Sequence, residues 1–145
     1  MNTGEKLIVW RIHLRSSPEK VYEMIATDEG RRRFWAESAD ERDGTIDFRF
    51  PNGMTLSSRI LEALPPKRFS VEYFAGSHTT FECSDDDEGG TDLTLTDAGV
   101  PRKWRSETAV GWVSVLLALK AAVDFNIDLR NHHGERTWDQ SYVDN

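Results

Sequence analysis

The sequence predicts an α+β fold in which a curved antiparallel sheet of about six strands encloses one long C-terminal helix. Three observations lead to this prediction. Side chains in residues 44–98 alternate between apolar and polar, as they do in strands with one buried face. Residues 111–129 form the longest nearly charge-free stretch of a chain in which 30% of the residues are charged. Strands and helices are segregated along the chain, which favours helices packed on one side of an antiparallel sheet.

Length and charge limit the classes of protein that the sequence allows. The 145 residues give room for one domain over residues 1–145, because a chain of this size buries roughly 70% of its unfolded surface around one core. The net charge of −7 disfavours nucleic acid and anionic membranes as partners, since both attract Lys and Arg. The basic run Arg31–Arg33 is interpreted as a solvated helix face, and the acidic run Asp85–Glu88 as a solvated turn. The single cysteine, Cys83, excludes an internal disulfide, and the first residues lack a secretory pattern, so we expect a reducing, cytoplasmic location.

The first third of the chain predicts one strand and two short helices. The segment "KLIVWRIHL" alternates apolar and polar side chains, which is typical of a half-buried strand. Ser17 and Pro18 are an N-cap and a first helical residue in front of "EKVYEMIA". The segment "TDEGRRRFW" predicts a second short helix, capped by Thr27 or Asp28.

Five further strands are predicted in a row, separated by short turns. Apolar side chains mark one face of each of the segments "TIDFRF", "MTLSSRILEAL", "RFSVEYF", "HTTFECS" and "TDLTLTD". The turns between them contain Pro51–Gly53, Pro65-Pro66 and Gly89-Gly90. Strands that follow one another through such short turns pair antiparallel, so the sequence predicts an antiparallel sheet.

Residues 111–129 predict an amphipathic core helix and not a membrane span. A spanning helix needs about 20 predominantly apolar residues, whereas this stretch contains Lys120, Asp124 and Asp128, which cluster on one side at 100° per residue. The opposite, buried side is predicted to carry Trp112, Val115, Leu116, Leu119, Ala122, Val123, Asn126 and Leu129. We expect Gly111, which weakens a helix, to be retained because helix and sheet approach each other closely there.

The sequence contains no motif for a catalytic centre, a metal site or a cofactor. His132 and His133 are expected in the final turn of the long helix or just past it, and not as metal ligands with Glu135, because adjacent histidines on a helix point in different directions. Glu72 and Glu82 lie on the solvent-facing side of neighbouring strands, which argues against an acid–base pair. The sequence leaves catalysis open and favours a protein that is not an enzyme.

Large apolar side chains predict the candidate binding site. They lie on the predicted inward faces or on segments that close the helix over the sheet. A packed core could use all of them, whereas the alternative is a cavity at the mouth of the curved sheet. The candidate ligand-binding residues are Trp35, Phe48, Phe50, Phe69, Tyr73, Phe81, Trp104, Trp112, Leu116 and Leu119. Beyond the long helix, Trp138 and Tyr142 are spaced to share one face of a docked helical turn.

Four segments in the same order resemble a known family. They are "SSPEKVYEMIATDEGRRRFWA", "EALPPKRFSVEY", "GGTDLTLTDAGVP" and "GWVSVLLAL". The chain resembles the START-like (SRPBCC) superfamily, and within it the branch named after the activator of the heat-shock protein ninety ATPase. This resemblance implies the helix-grip (START/Bet v-like) fold over a core of residues 6–131, with residues 132–145 as a C-terminal extension. The chain carries Asp97 where members of the branch often carry His.

The resemblance implies three competing functions. The first is binding or carrying of a small hydrophobic molecule that is lipid-, polyketide- or flavonoid-like. The second is a co-chaperone that stimulates a heat-shock ATPase in the stress response, so that a chaperone is a partner. The third is an enzyme of the same fold acting on an aromatic or polyketide-like substrate. We expect the first function, no cofactor, and a protein that is a monomer or a homodimer.

Overall fold

Seven strands form one antiparallel sheet, and three helices lie against it, as a computed structural model of residues 7–145 shows. The strands are β1 (Ile8–Leu14), β2 (Ser38–Arg42), β3 (Thr45–Arg49), β4 (Thr55–Leu64), β5 (Arg68–Glu72), β6 (His78–Asp85) and β7 (Thr91–Ala98). The helices are α1 (Pro18–Ala26), α2 (Asp28–Phe34) and α3 (Arg105–Phe125). The predicted α+β fold is confirmed. Lys6 of the first predicted strand and the start of the stretch searched for a secretory pattern lie outside the described residues.

The sheet has the order β1-β7-β6-β5-β4-β3-β2 and curves around α3. Its inward side chains form the core together with α1, α2 and one face of α3. The two short helices begin as the sequence predicts. Ser17 accepts a hydrogen bond from the backbone N–H of Lys20 at the start of α1, and Thr27 accepts one from Gly30 at the start of α2.

Strand β2 is the element that sequence patterning misses. Its segment "SADER" has one buried side chain, Ala39, and its other residues are charged or polar. An edge strand pairs on one side only, and charged side chains protect its free edge. Such a strand lacks the apolar alternation that identified the other six.

Arg31 corrects the interpretation of the basic run as a solvated helix face. Its side chain is fully buried. The guanidinium donates to the carbonyl oxygens of Ala39 (2.9 Å) and Ile25 (3.3 Å) and to a carboxylate oxygen of Asp28 (2.6 Å). Since Arg has five donors in a fixed plane, one buried Arg can join α1, α2 and β2.

The long helix begins six residues earlier than predicted and ends four residues earlier. The first turns of α3 are polar, so the apolar stretch underestimates its start. The helix ends at Asn126, which adopts the left-handed conformation (φ 56°, ψ 40°) and donates its N–H to carbonyl oxygens of the last turn. Asn tolerates this conformation better than most residues. Asn126 and Leu129 therefore lie outside the helix and are exposed, which corrects the predicted buried face.

Helix α3 is tied to the sheet by polar contacts as well as by its apolar face. Asp124 accepts hydrogen bonds from the backbone N–H groups of Arg15 (3.0 Å) and Ser16 (3.1 Å), and Lys120 donates to the carbonyl of His13. Within the described residues, one helical segment, Arg102–Phe125, is long and apolar enough to cross a membrane. Its packing and these bonds are those of a core helix.

Candidate functional site

A cavity of about 420 Å³ lies between the first half of α3 and the mouth of the curved sheet. Its walls come from five places in the chain: the end of α2, the β3–β4 turn, the β5–β6 connection, the end of β7 with the segment that follows it, and the C-terminal extension. A second depression, of about 470 Å³, lies over β2–β4 and is lined mainly by charged and polar side chains such as Asp40, Arg42 and Arg49. The aromatic cavity under α3 is therefore the candidate site.

The ten predicted ligand-binding residues divide into two sets. Five of them line the cavity: Trp35, Phe50, Tyr73, Trp104 and Trp112. The other five lie behind it as part of the packed core, and all are buried: Phe48, Phe69, Phe81, Leu116 and Leu119. The packed core and the cavity, which the sequence offered as alternatives, are therefore both present. The inward face of the sheet and helix forms a core in one part and lines a cavity in the other.

Aromatic rings form most of the cavity wall. The ring centroids of Trp35 and Trp112 are 6.0 Å apart, and that of Tyr73 lies 5.7 Å from Trp35 and 5.2 Å from Trp112. Phe50 and Phe74 continue this wall at a centroid distance of 5.6 Å. Because the rings pack against one another at tilted angles, they hold their positions without a ligand between them.

The Tyr73 hydroxyl is one of two buried polar groups in the wall. It accepts a hydrogen bond from Nε1 of Trp35 at 2.9 Å. Burial raises the pKa of Tyr73, so the phenol keeps its proton at neutral pH. No acceptor for that proton occurs among the hydrogen bonds of residues 7–145, which leaves one donor available at the cavity wall.

Asp97 is the second polar group, and it is fully buried. One carboxylate oxygen accepts from Nε1 of Trp112 at 2.8 Å, and the other accepts from the Thr79 hydroxyl at 3.0 Å. Burial raises the pKa of Asp97 above its ordinary value, although hydrogen bonds from Trp112, Ser77 and Thr79 and the nearby His78 favour its ionised form. The sequence pattern is able to identify Asp97 as an inward residue, because Leu93 and Asp97 lie an even number of residues apart on β7 and so point to the same face of the sheet.

Gly111 opens the cavity on the helix side. A Cβ atom built on Gly111 would meet no atom within 4 Å, so helix and sheet do not approach closely here. The prediction of a close approach is wrong, and Gly111 lines empty space instead. Ser114 and Val115 complete this wall. A small residue in this position leaves volume that a larger side chain would fill.

The C-terminal extension supplies the remaining wall. Trp138 lines the cavity and packs edge-on against Phe50 with a centroid distance of 5.4 Å. Its backbone N–H donates to the side chain of Asn145 at 3.1 Å. The extension therefore docks through Trp138, whereas Tyr142 is exposed. The spacing of Trp138 and Tyr142 in the sequence predicted that the extension docks, but it did not predict that Trp138 lies over a cavity.

Three ion pairs hold the segment that leads into the extension. His132 bridges Glu37 and Asp128, and Arg130 contacts Asp128 at 2.9 Å. Burial raises the pKa of Asp128, but hydrogen bonds from Arg130 and His132 outweigh it and hold that pKa at about 2. Burial lowers the pKa of His132, but its bonds to Asp128 and Glu37 raise it above the ordinary value. His132 thereby joins the extension to Glu37, which follows α2.

The other candidate chemical groups lie away from the cavity. Glu72 pairs with Arg59 and Glu82 with Arg68 on the outer face of the sheet. Cys83 is buried, and burial raises the pKa of its thiol to about 12, so it is a poor nucleophile. Within residues 7–145 no three His, Cys, Asp or Glu side chains gather closely enough to hold a metal ion.

Comparison with solved structures shows the same architecture. The Aha1 dimer from Colwellia psychrerythraea has a TM-score of 0.73 at 24% identity, with 83% of this chain and 97% of that chain covered. A protein from Staphylococcus saprophyticus has a TM-score of 0.76 at 22% identity, with 86% and 96% covered. DynU16, a protein in the dynemicin biosynthetic locus, has a TM-score of 0.74 at 13% identity, with 84% and 48% covered.

Comparison with protein families gives a match over most of the chain. None of the proteins of curated function matches the sequence. Residues 15–124 match the family described as activator of Hsp90 ATPase homolog 1-like protein, which agrees with the START-like resemblance of the sequence segments. The chain belongs to the family of activator of Hsp90 ATPase homolog 1-like proteins.

Proposed function

We propose that the protein binds or carries a small hydrophobic molecule in the cavity between α3 and the sheet. The observation that carries this proposal is the cavity itself, which is open, aromatic and bordered by two buried polar groups, Tyr73 and Asp97. Ligand sites in proteins typically have volumes of about 300–1,000 Å³, apolar walls and a few fixed polar groups. A lipid-, polyketide- or flavonoid-like molecule has the required apolar character.

Two features favour an aromatic ligand within this class. Rings on several sides of the cavity present faces and edges for stacking, and the Tyr73 hydroxyl offers a proton to an oxygen or nitrogen of the ligand. DynU16, a protein with the same fold, is a protein in the dynemicin biosynthetic locus. This is one example of the fold in a locus for the synthesis of a small molecule.

Intrinsic fluorescence tests the proposal directly. Four of the five Trp residues line the cavity, namely Trp35, Trp104, Trp112 and Trp138. An uncharged flavonoid such as flavone should quench or shift their emission saturably. The response should change little between low and high salt, because apolar contact and not surface charge drives binding.

A matched pair of substitutions in α3 locates the binding site. Gly111→Phe should fill the cavity, keep the fold and abolish the response to flavone. Val110→Phe is the control, because Val110 is 63% exposed on the outer face of the same helix. If Gly111→Phe binds flavone as tightly as the wild type, the cavity is not the site. If a panel of flavonoids, fatty acids and polyketides gives no saturable signal with the wild type, the proposed function fails.

A second candidate function is a protein-interaction module of the co-chaperone type. The observation that favours it is an apolar stripe on the outer face of α3, formed by Val110, Val113 and Leu117 beside Trp10, all of them exposed. Exposed apolar patches often mark protein contacts. Stimulation of a heat-shock ATPase in trans, lost in Val113→Glu, would support this function. Light scattering distinguishes it from a stripe covered by a second copy of the chain, since the Colwellia psychrerythraea protein was solved as a dimer.

A further inference from the structure

Asp97 is a buried carboxylate without a salt-bridge partner among the described residues. The groups that bond its carboxylate are the neutral side chains of Trp112, Thr79 and Ser77. Among the described residues no Lys, Arg or His forms a salt bridge with it, although nine other salt bridges are present. Proteins usually pair a charge that is removed from water, because the cost of desolvation is large. The unpaired carboxylate lies in the wall of the cavity.

The other charge on the cavity is negative as well. Glu107, on the first turn of α3, lies at the mouth, and no Lys, Arg or His among residues 7–145 lines the cavity. Three basic residues lie near the cavity and do not belong to its lining. Lys103 sits over the ring of Trp104 at 5.3 Å, and Arg105 lies at the start of α3. His78 is exposed on β6, from where its charge favours the ionised form of Asp97 without forming a salt bridge with it.

The aromatic wall suits a positive charge. The faces of Trp and Tyr rings carry negative potential and attract cations within about 6 Å of the ring centre. Trp35, Tyr73 and Trp112 all line the cavity and pack against one another at centroid distances of 5.2–6.0 Å. These rings and the carboxylate of Asp97 therefore both favour a cation over an anion in the cavity.

We infer that the cavity selects an organic cation with an aromatic or apolar body, such as an aromatic amine that is protonated at neutral pH, and discriminates against carboxylates. This inference rests on the proposed function and narrows its ligand class. A cationic ligand would supply the partner that Asp97 lacks, in a region of low dielectric where opposite charges attract strongly. A fatty acid or another free acid would bring a second negative charge beside Asp97.

Three probes with one ring system test this inference by isothermal titration calorimetry: 2-(aminomethyl)naphthalene, 2-ethylnaphthalene and 2-naphthylacetate. We expect the amine to bind at least tenfold more tightly than the neutral probe and the carboxylate to bind most weakly. Raising the salt concentration should leave the preference for the amine largely intact, because a buried pair is screened much less than a surface pair.

Asp97→Asn assigns the preference to the buried carboxylate. This variant should lose about tenfold in affinity for the amine while its affinity for 2-ethylnaphthalene stays the same, which also shows that the cavity remains formed. Glu107→Gln is the control at the mouth, where water screens the charge, and it should change the affinity for the amine less than threefold.

The possible results separate the two proposals. Failure of all three probes to bind contradicts the proposed function. Binding of the neutral probe with equal or weaker binding of the amine overturns the inference and leaves the function standing. If Asp97→Asn does not fold, the comparison of the three probes in the wild type decides the inference, and an unselective wild type overturns it.

Discussion

The two halves of α3 have opposite roles in the structure. In the second half, Leu116, Leu119 and Ala122 are buried and fill the space against the sheet. In the first seven residues, Arg105–Gly111, no side chain is buried. The difference lies in side-chain volume, because small or polar residues in the first half leave empty the space that leucines fill in the second. A single helix therefore closes the core at one end and roofs a cavity at the other.

The two halves also differ in how they are held. The second half receives or donates hydrogen bonds through Asp124, Lys120 and Ala122, the last by accepting from Arg33. Within the described residues, one side-chain hydrogen bond ties the first seven residues to the sheet, from Nε1 of Trp10 to the carbonyl of Ala109 at 2.9 Å. The half with fewer contacts is the half over the cavity, so the structure places its least constrained helical turns where a ligand would enter.

The largest effect should come from the packed half. Leu119 is fully buried, and Leu119→Ala should lower the free energy of unfolding by about 2–5 kcal/mol, because it opens a cavity in a filled core. Leu117→Ala is the matched control, since Leu117 is 49% exposed on the same helix. Urea denaturation measures both. Equal losses at the two positions would contradict the assignment of the buried face.

The polar attachment of the packed half should have the next largest effect. Asp124→Ala removes the acceptor for the backbone N–H groups of Arg15 and Ser16 and for the Ser16 hydroxyl. Leaving partly buried donors unsatisfied should lower the free energy of unfolding by about 1–3 kcal/mol. Asp124→Asn retains one acceptor oxygen and should lose less. A neutral result for Asp124→Ala would mean that water replaces the carboxylate at no cost.

A stabilising change is expected in the open half. Gly111→Ala should raise the free energy of unfolding by about 1 kcal/mol, because Ala favours the helix and its methyl group enters empty space. Thermal denaturation monitored by circular dichroism measures the change. A loss of stability would indicate the close approach of helix and sheet that the sequence suggested and the structure does not show.

The smallest effect should come from the contacts that fasten the extension. The pKa of Asp128 is about 2 in the folded protein and 3.8 ordinarily, so this carboxylate stabilises the fold above pH 4 and loses that contribution as the pH falls toward 2. The effect should stay below about 1 kcal/mol, because Asp128 is partly exposed and solvent screens it. The raised pKa of His132 acts in the opposite direction: its contribution is complete below pH 6.5 and is lost as the pH rises through the folded value.

Stability curves measured from pH 2 to 8 test this expectation. Asp128→Asn should reduce the loss of stability at low pH, to which Asp86 and Asp139 also contribute because their pKa values are lowered as well. His132→Gln should reduce the loss at high pH. If neither variant differs from the wild type in its pH dependence, these ion pairs do not hold the extension in solution.

The sequence predicted the fold well because local rules and burial agree there. The alternation of apolar residues located six strands, and Ser17 and Thr27 marked the starts of the short helices. The prediction failed where the position of a side chain depends on residues distant in the chain. Arg31 has the character of a surface residue, and it is buried because α1, α2 and β2 pack around it. The position of Trp138 depends on how the extension folds back onto Phe50.

The candidate site was predicted in part for the same reason. Inward parity identifies which side chains face the helix, but it does not show where packing ends and empty space begins. That boundary depends on the volume at Gly111 and Val115, which precede the packed Leu116 and Leu119 in the same helix. Asp97 lies at an inward position of its strand, but a search for apolar side chains passes over a carboxylate. A search for charged residues at inward positions would have found it.

The position of Trp138 bears on how binding preferences diverge among related proteins. The family match ends at residue 124, whereas Trp138 forms part of the cavity wall. One side of the candidate cavity is therefore built from a segment outside the matched residues. Lineages can exchange or lengthen such a terminal segment without disturbing the sheet, so two proteins with nearly superimposable cores can evolve different ligand preferences at their chain ends.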